Sequence, residues 1–129
     1  MLTILKTDNA KSVENYCVKS GVKYDDNVRA FEAKQQETTI GYVLYRLADG
    51  ACEILYAQCK GDGALFDGLL RSVFFSLTEN GADLPARFDK AVDKDMLKKY
   101  GFITDDTYFV KSMLDFLNNC KNCKNSHNN

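Results

Sequence analysis

Histidine is scarce in this sequence. Its single histidine, His127, lies in a polar segment near the C-terminus. Ser-His-Asp and Cys-His catalytic arrangements need an imidazole ring that is held in the folded part of the protein. This scarcity excludes most hydrolase active sites, and any chemistry carried out by this chain must use little histidine.

Disulfide bonds are not expected either. The five cysteines are an odd number at irregular positions, and the N-terminal stretch MLTILKTDN has neither a basic leader segment nor a long apolar run. Free thiols in a reducing compartment fit this pattern better than a secreted disulfide framework. We therefore predict a cytoplasmic location.

A metal site is not expected in the C-terminal tail. Cys120, Cys123 and His127 have zinc-like spacing, but half of the surrounding NNCKNCKNSHNN is asparagine and a fourth ligand is missing. We interpret residues 118–129 as a polar, disordered tail. The protein is predicted to bind no metal.

Charge of one sign is not concentrated anywhere. The formal net charge is −1 and the 17 basic residues are scattered, so no basic stripe indicates nucleic acid or an anionic membrane. No apolar run approaches the length of a membrane span. We therefore predict that neither is a main partner, and we assign residues 1–117 to a single domain with its own core.

One stretch of the chain organises the rest. Asp49-Gly50 is a hairpin turn signal, and Cys52 to Ala57 is apolar enough for a strand buried on both faces. Gln58 to Gly63 (QCKGDG) is a loop with two glycines, and Gly81 ends the following helix as a left-handed cap would. Apolar residues recur through this helix at helical spacing, at Phe66, Leu69, Leu70, Val73, Phe74 and Leu77.

The remaining pattern predicts an α+β fold in the order β-α-β-β-β-α-β-α-β-β. Strands are expected at Leu2 to Lys6, Val28 to Gln35, Thr38 to Leu47 and Leu84 to Phe88, and helices at Ala10 to Ser20 and Asp93 to Tyr100. The strict alternation of Val28 to Gln35 indicates a half-exposed strand. Phe102-Ile103 and Tyr108 to Met113 should form a last hairpin, which Leu114 to Leu117 either extends or follows with a helical turn.

This order and three motifs resemble the GNAT acyltransferases over about residues 28 to 113. Gln58 to Gly63 matches the family's Q/R-x-x-G-x-G/A acetyl-CoA loop, and Leu97 to Phe102 (LKKYGF) is similar to its Y-x-K-x-G-F. Ile40-Gly41-Tyr42 looks like the family's third strand. The resemblance implies a mixed, mostly antiparallel sheet flanked by helices.

The resemblance also implies a co-substrate and a site. In the family, acyl-CoA lies where the fourth and fifth strands splay apart, its pantetheine pairs with the fourth strand, and its pyrophosphate lies on the loop. A helix N-terminus suits those phosphate charges. The residues implicated here are Tyr56, Ala57, Gln58, Cys59, Lys60, Gly61, Asp62, Gly63, Ala64, Leu65 and Phe66. The expected function is transfer of an acetyl or other acyl group from acetyl-CoA or another acyl-CoA to an amine, without a metal.

Two registers of the pyrophosphate loop are open. The literal motif match places Gln58 to Gly63 around the pyrophosphate. In most family members, however, a Leu-Leu pair follows the last glycine more closely than Leu69-Leu70 follows Gly63. Aligning the leucines without a gap, which we favour because helix packing constrains spacing, places Gly61 to Phe66 there instead.

Catalytic residues are not assigned from the sequence. The family's tyrosine acid falls at Leu97 here, and its frequent asparagine falls at Lys90. Glu53 is either a general base or, more simply, a solvated carboxylate at an edge, and Cys59 is either an activated thiol or a small buried residue. Five tyrosines are interpreted as sheet and core residues, namely Tyr42, Tyr45, Tyr56, Tyr100 and Tyr108. A CoA-binding or protein-interaction domain without catalysis is the alternative, and a homodimer that completes an open acceptor pocket is possible.

Overall fold

The computed structural model describes residues 1–118, which form six strands and four helices. In chain order they are β1 (Leu2–Lys6), α1 (Ala10–Ser20), β2 (Val28–Gln35), β3 (Thr38–Ala48), β4 (Ala51–Gln58), α2 (Gly63–Glu79), β5 (Ala86–Phe88), α3 (Lys94–Lys99), β6 (Phe109–Val110) and α4 (Met113–Asn118). The predicted α+β class is confirmed.

All six strands belong to one sheet, in the order β1-β2-β3-β4-β5-β6. Neighbours are antiparallel except β4 and β5, which are parallel because α2 carries the chain back between them. The predicted turn joins β3 to β4, with φ of 55° at Asp49 and 72° at Gly50. Two successive positive φ angles match the twist of a tight hairpin.

Both faces of the sheet are covered at its centre. On one face α1 packs against a small buried cluster that includes Val28, Ala30 and Leu44. On the other face α2 packs over Phe31, Ala33 and residues of the other strands. The prediction that β2 is half-exposed is therefore wrong, because its alternating residues are buried against two different helices.

Helix α2 forms as its sequence predicted. The Asp62 side chain caps its start by accepting a hydrogen bond from the Leu65 N–H at 3.1 Å. Gly81, with φ of 86°, lies just after its end. The predicted apolar stripe faces the core. Leu77 is partly buried, and the other residues of the stripe are fully buried, namely Phe66, Leu69, Leu70, Val73 and Phe74.

The predicted last hairpin is wrong. Within residues 1–118 only Phe109–Val110 forms a strand in this region, and residues 113–118 form α4. Gly101, with φ of 82°, ends α3 and turns the chain inward, so that the N–H groups of Phe102 and Ile103 both donate to the Leu97 carbonyl, at 2.9 and 3.4 Å. Both side chains are buried, so packing in the core replaces strand pairing.

Some predictions fall outside the described residues. Cys120, Cys123 and His127 lie there with most of the predicted tail, although Asn118, its first residue, belongs to α4. Within residues 1–118, no group of three or more His, Cys, Asp or Glu side chains is placed to hold a metal ion. No helix in the same part of the chain has the length and apolarity needed to cross a membrane.

Candidate functional site

Strands β4 and β5 part partway along their length. They pair from Cys52 and Ala86 to Ile54 and Phe88, and the Asp89 N–H then donates to the Ile54 carbonyl at 2.8 Å. Beyond Ile54, β4 has no partner on this side among residues 1–118. The register between β3 and β4 skips Leu55, which marks a bulge at the same point. The strands therefore splay where β4 leads into the glycine loop.

The loop after β4 makes a tight turn. Lys60 and Gly61 have φ of 52° and 79°, both in the left-handed region. The Lys60 N–H donates to the Gln58 side chain at 3.3 Å, and the Asp62 N–H donates to the Cys59 carbonyl at 2.9 Å. This turn occupies residues 59–62 and delivers the chain directly to the first residue of α2, Gly63.

The start of α2 offers free backbone donors. The Leu65 N–H is bonded to the Asp62 side chain, and the Phe66 N–H donates to the Asp62 carbonyl at 3.0 Å. The N–H groups of Gly63 and Ala64 have no partner in the part of the chain that the structure describes. Free N–H groups at the N-terminus of a 17-residue helix are donors of the kind that anions bind in proteins.

Tyr100 lies over this helix start. A Cβ atom at Gly63 would lie 2.3 Å from the Tyr100 hydroxyl oxygen and 2.9 Å from two carbons of its ring. A side chain at position 63 would therefore force the Tyr100 ring to move. The Tyr100 hydroxyl makes no hydrogen bond within residues 1–118, so it is a further donor beside the free amides of α2.

Gly41 in β3 supports the same region. A Cβ atom there would lie 2.6 Å from the Gln58 carbonyl oxygen and 2.9 Å from the Leu65 side chain. Because the nearest atom belongs to the backbone, it has little freedom to move away. Gly41 thus lets β3 pack closely against the last residue of β4 and the first turn of α2.

Leu97 does not face the splay. The resemblance placed the family's phenol at this position, but the Leu97 side chain is fully buried in the hydrophobic core beneath α2. The phenol that the end of α3 presents to α2 belongs to Tyr100, one helical turn later. Tyr100 also packs against the core, as the sequence predicts, and the one sequence signal for its place beside Gly63 is its position directly before Gly101.

The structure places Cys59 among the buried residues. Burial raises the pKa of the Cys59 thiol, and the N–H groups of Gly61 and Asp62 near its sulfur lower it only in part. A thiol whose pKa is raised is mostly protonated at neutral pH and is a poor nucleophile. Cys59 is therefore a small buried residue, as the simpler interpretation held.

A cavity of about 500 Å³ lies beside the splay, on the opposite face of the sheet from α2. Glu53, Arg87 and Phe109 are neighbours across three strands and share this face. Glu53 is on an internal strand, not at an edge, and is partly buried beside Arg46 at 3.6 Å. The residues that line the cavity are Glu53, Arg87, Phe88, Asp89, Lys90, Thr107, Tyr108 and Phe109.

Tyrosines between α1 and the sheet are engaged in packing and hydrogen bonds. Tyr16 and Tyr42 stack with their ring centroids 4.2 Å apart. The Tyr16 hydroxyl donates to Glu32, and burial together with this carboxylate raises the pKa of Tyr16 to about 12. The Tyr42 hydroxyl lies 2.6 Å from the Ser20 hydroxyl. Tyr42 thus has the structural role that the sequence predicted.

Comparison with known proteins supports the fold through structure alone. No family model matches the sequence, and no curated protein does.

Several solved structures share the architecture. A ribosomal-protein-alanine N-acetyltransferase from Brucella melitensis biovar Abortus 2308 matches at 12% identity and a TM-score of 0.56, covering 79% of this chain and 90% of the other. The PaiA N-acetyltransferase from Thermoplasma acidophilum, in complex with coenzyme A, matches at 11% identity and a TM-score of 0.54. The match covers 87% of this chain and 99% of the other. YhhK from E. coli, named as a candidate N-acetyl transferase and bound to coenzyme A, matches at 15% identity and a TM-score of 0.53. The match covers 87% of this chain and 98% of the other. The chain therefore has the GNAT fold, as its motifs predicted.

Proposed function

We propose that this chain is an acyltransferase that moves an acetyl or other acyl group from acyl-CoA to an amine. The observation that carries the proposal is the splay of β4 and β5, which leads through a tight loop to free N–H groups at the start of α2. Two proteins of the same fold were solved with coenzyme A.

In this proposal acyl-CoA would bind along residues 56–66. The unpaired side of β4 at Tyr56 and Ala57 is available for the amides of pantetheine. The loop and the free amides of Gly63 and Ala64 would hold the pyrophosphate, and exposed Lys60 would add a positive charge. The Gly63 amide belongs to both registers of the loop, and the Ala64 amide belongs only to Gly61 to Phe66, so the choice between the two registers stays a prediction.

The reaction requires a base on the acceptor side. The amine nitrogen attacks the thioester carbonyl, a C–N bond forms, the C–S bond breaks and the CoA thiolate leaves. The acceptor ammonium must first lose one proton to give the nucleophilic amine, the nitrogen loses a second proton as the amide forms, and one proton must reach the thiolate. We propose Glu53 as the base, because it lines the cavity one residue before Ile54, where the strands part. In this proposal the thiolate is protonated from solvent in the open cleft, because position 97, where the resemblance placed the family's acid, is a leucine buried in the core.

The proposal is tested by acetyl-CoA titration and a thiol-release assay with a panel of amines. Glu53→Gln should lower kcat by about 10²–10⁴-fold, as for loss of a general base, and leave the acetyl-CoA Kd unchanged. Glu37→Gln, in the exposed β2–β3 turn, is the matched control and should have no effect. Tight acetyl-CoA binding without thiol release for any amine would favour the non-catalytic alternative.

Tyr100→Phe gives a separate prediction for the binding site. We expect acetyl-CoA to bind about tenfold or more weakly, because a hydrogen bond to a charged group contributes about 1.5–3 kcal/mol. Binding of S-acetylpantetheine, which lacks the pyrophosphate, should change little. Calorimetric titration measures both.

Tyr24→Phe is the control for this change, since Tyr24 packs under α1, away from the loop. If Tyr100→Phe weakened both ligands equally, the hydroxyl would not contact the pyrophosphate. A lower melting temperature in Tyr100→Phe would instead indicate a structural role.

A further inference from the structure

The cavity on the acceptor side contains charges of both signs. Arg87 and Lys90 have no ion-pair or hydrogen-bond partner within residues 1–118. Glu53 is 3.6 Å from Arg46, and one oxygen of Asp89 accepts the Ala91 N–H at 3.0 Å. The two free cations are therefore not ion-paired with the two carboxylates that share their cavity.

The position of this cavity ties it to the transfer site. Phe88 and Asp89 line it at the end of β5, where the last hydrogen bond joins β5 to β4. Its aromatic wall includes Phe109, whose surface is 43% exposed. Tyr108 holds a φ of 57°, and its carbonyl accepts the Phe88 N–H at 3.0 Å. A volume of about 500 Å³ suits a small molecule or the end of a peptide.

The charges select a class of ligand. Two cations and two carboxylates make the cavity formally neutral, so a ligand with one net charge would leave it unbalanced. A zwitterionic ligand could pair its negative group with the two cations and its positive group with the two carboxylates. An amine alone would leave Arg87 and Lys90 without a partner, and a phosphate would face Glu53 and Asp89.

We propose that the acyl acceptor carries a carboxylate close to its amine, as a free amino acid or a short peptide with a free N-terminus does. This inference rests on the proposed function and adds the acceptor class to it. Arg87 would bind the carboxylate, with a geometry that allows paired hydrogen bonds, and Lys90 would add a second cation. The amine would then lie toward Glu53 and the splay, and Phe109 would contact the apolar part of the acceptor.

The test compares two probes that share an amine and differ in one group. L-leucylglycine carries a free carboxylate, and L-leucylglycinamide carries an amide in its place. Both are titrated into isotope-labelled protein with and without CoA, and binding is followed by NMR chemical shifts. We expect L-leucylglycine to bind at least fivefold more tightly, with the largest shifts at Arg87, Lys90 and Phe109.

Variants locate the preference. Arg87→Gln combined with Lys90→Gln should remove the difference in affinity between the probes. Arg87→Lys combined with Lys90→Gln should keep part of that difference, because lysine retains the positive charge. Lys111→Gln removes an exposed cation that does not line the cavity, and should leave the preference intact. In the thiol-release assay the double variant should raise KM for L-leucylglycine and leave KM for acetyl-CoA unchanged.

Equal affinity for the two probes in the unmodified protein, or no shift with either, would overturn the inference. A preference that survives in the double variant would also overturn it. Failure of acetyl-CoA to bind would instead refute the proposed function. The titrations without CoA keep the two results separate, because they measure the carboxylate preference directly.

Discussion

Replacing both Gly61 and Gly63 with valine should abolish acetyl-CoA binding, with a loss of at least 100-fold. Gly61 has φ of 79°, which a β-branched residue adopts only with strain. At position 63 a side chain would collide with the Tyr100 ring. Both changes displace the amides that we propose bind the pyrophosphate. Calorimetric titration with acetyl-CoA measures the loss.

A matched control lies at the other end of the same helix. Gly81 also has a positive φ, of 86°, and a Cβ atom there would meet nothing within 4 Å. Gly81→Val should therefore cost stability through the same backbone strain and leave acetyl-CoA binding intact. Equal binding by the double variant and the unmodified protein would show that the loop is not the CoA site.

Phe102→Ala should destabilise the protein by about 3–5 kcal/mol, as large deletions in a core do. The Phe102 side chain is 3% exposed. Its ring centroid lies 4.6 Å from that of Phe116 in a stacked pair, and 5.8 Å from that of Phe74. Arg71 adds a cation over the same ring at 5.6 Å. Urea unfolding followed by circular dichroism measures the change in the free energy of unfolding.

Domains of this size have a total stability of about 5–15 kcal/mol, so this change takes a large share of it. Phe75→Ala is the control, because Phe75 is 60% exposed on the outer side of α2 and surface changes usually cost within about 0.5 kcal/mol. A loss from Phe102→Ala as small as the loss from Phe75→Ala would show that the Phe102 side chain is not part of the core.

Local patterns in the sequence were enough to predict the central part of the fold. The helical period of α2 marks the face that packs on the sheet, since one stripe of a helix can be buried while the other stays in water. The Asp49-Gly50 pair specifies a hairpin because its backbone angles depend on those two residues. For the pyrophosphate loop the literal motif gave Gln58 to Gly63 and the favoured leucine alignment gave Gly61 to Phe66, and both stay predictions.

The C-terminal region was decided by tertiary packing. The apolar pair Phe102-Ile103 is as compatible with a strand as with a buried turn, and only the presence of neighbouring aromatic rings makes the turn more favourable. Tertiary packing also decided the orientation of α3. The sequence does not reveal that Leu97 faces the core and that Tyr100 faces Gly63. Rotation of a short helix about its axis is set by what it packs against.

The sequence by itself determined the strands and helices around the loop, the bend of the loop and the chemistry of a helix N-terminus, because each depends on residues close together in the chain. The tertiary structure alone decided which distant residues meet. It placed Tyr100 over Gly63, and it brought Arg87 and Lys90 into one cavity with Glu53. These contacts depend on the pairing of β4 with β5, a long-range arrangement that no local pattern encodes.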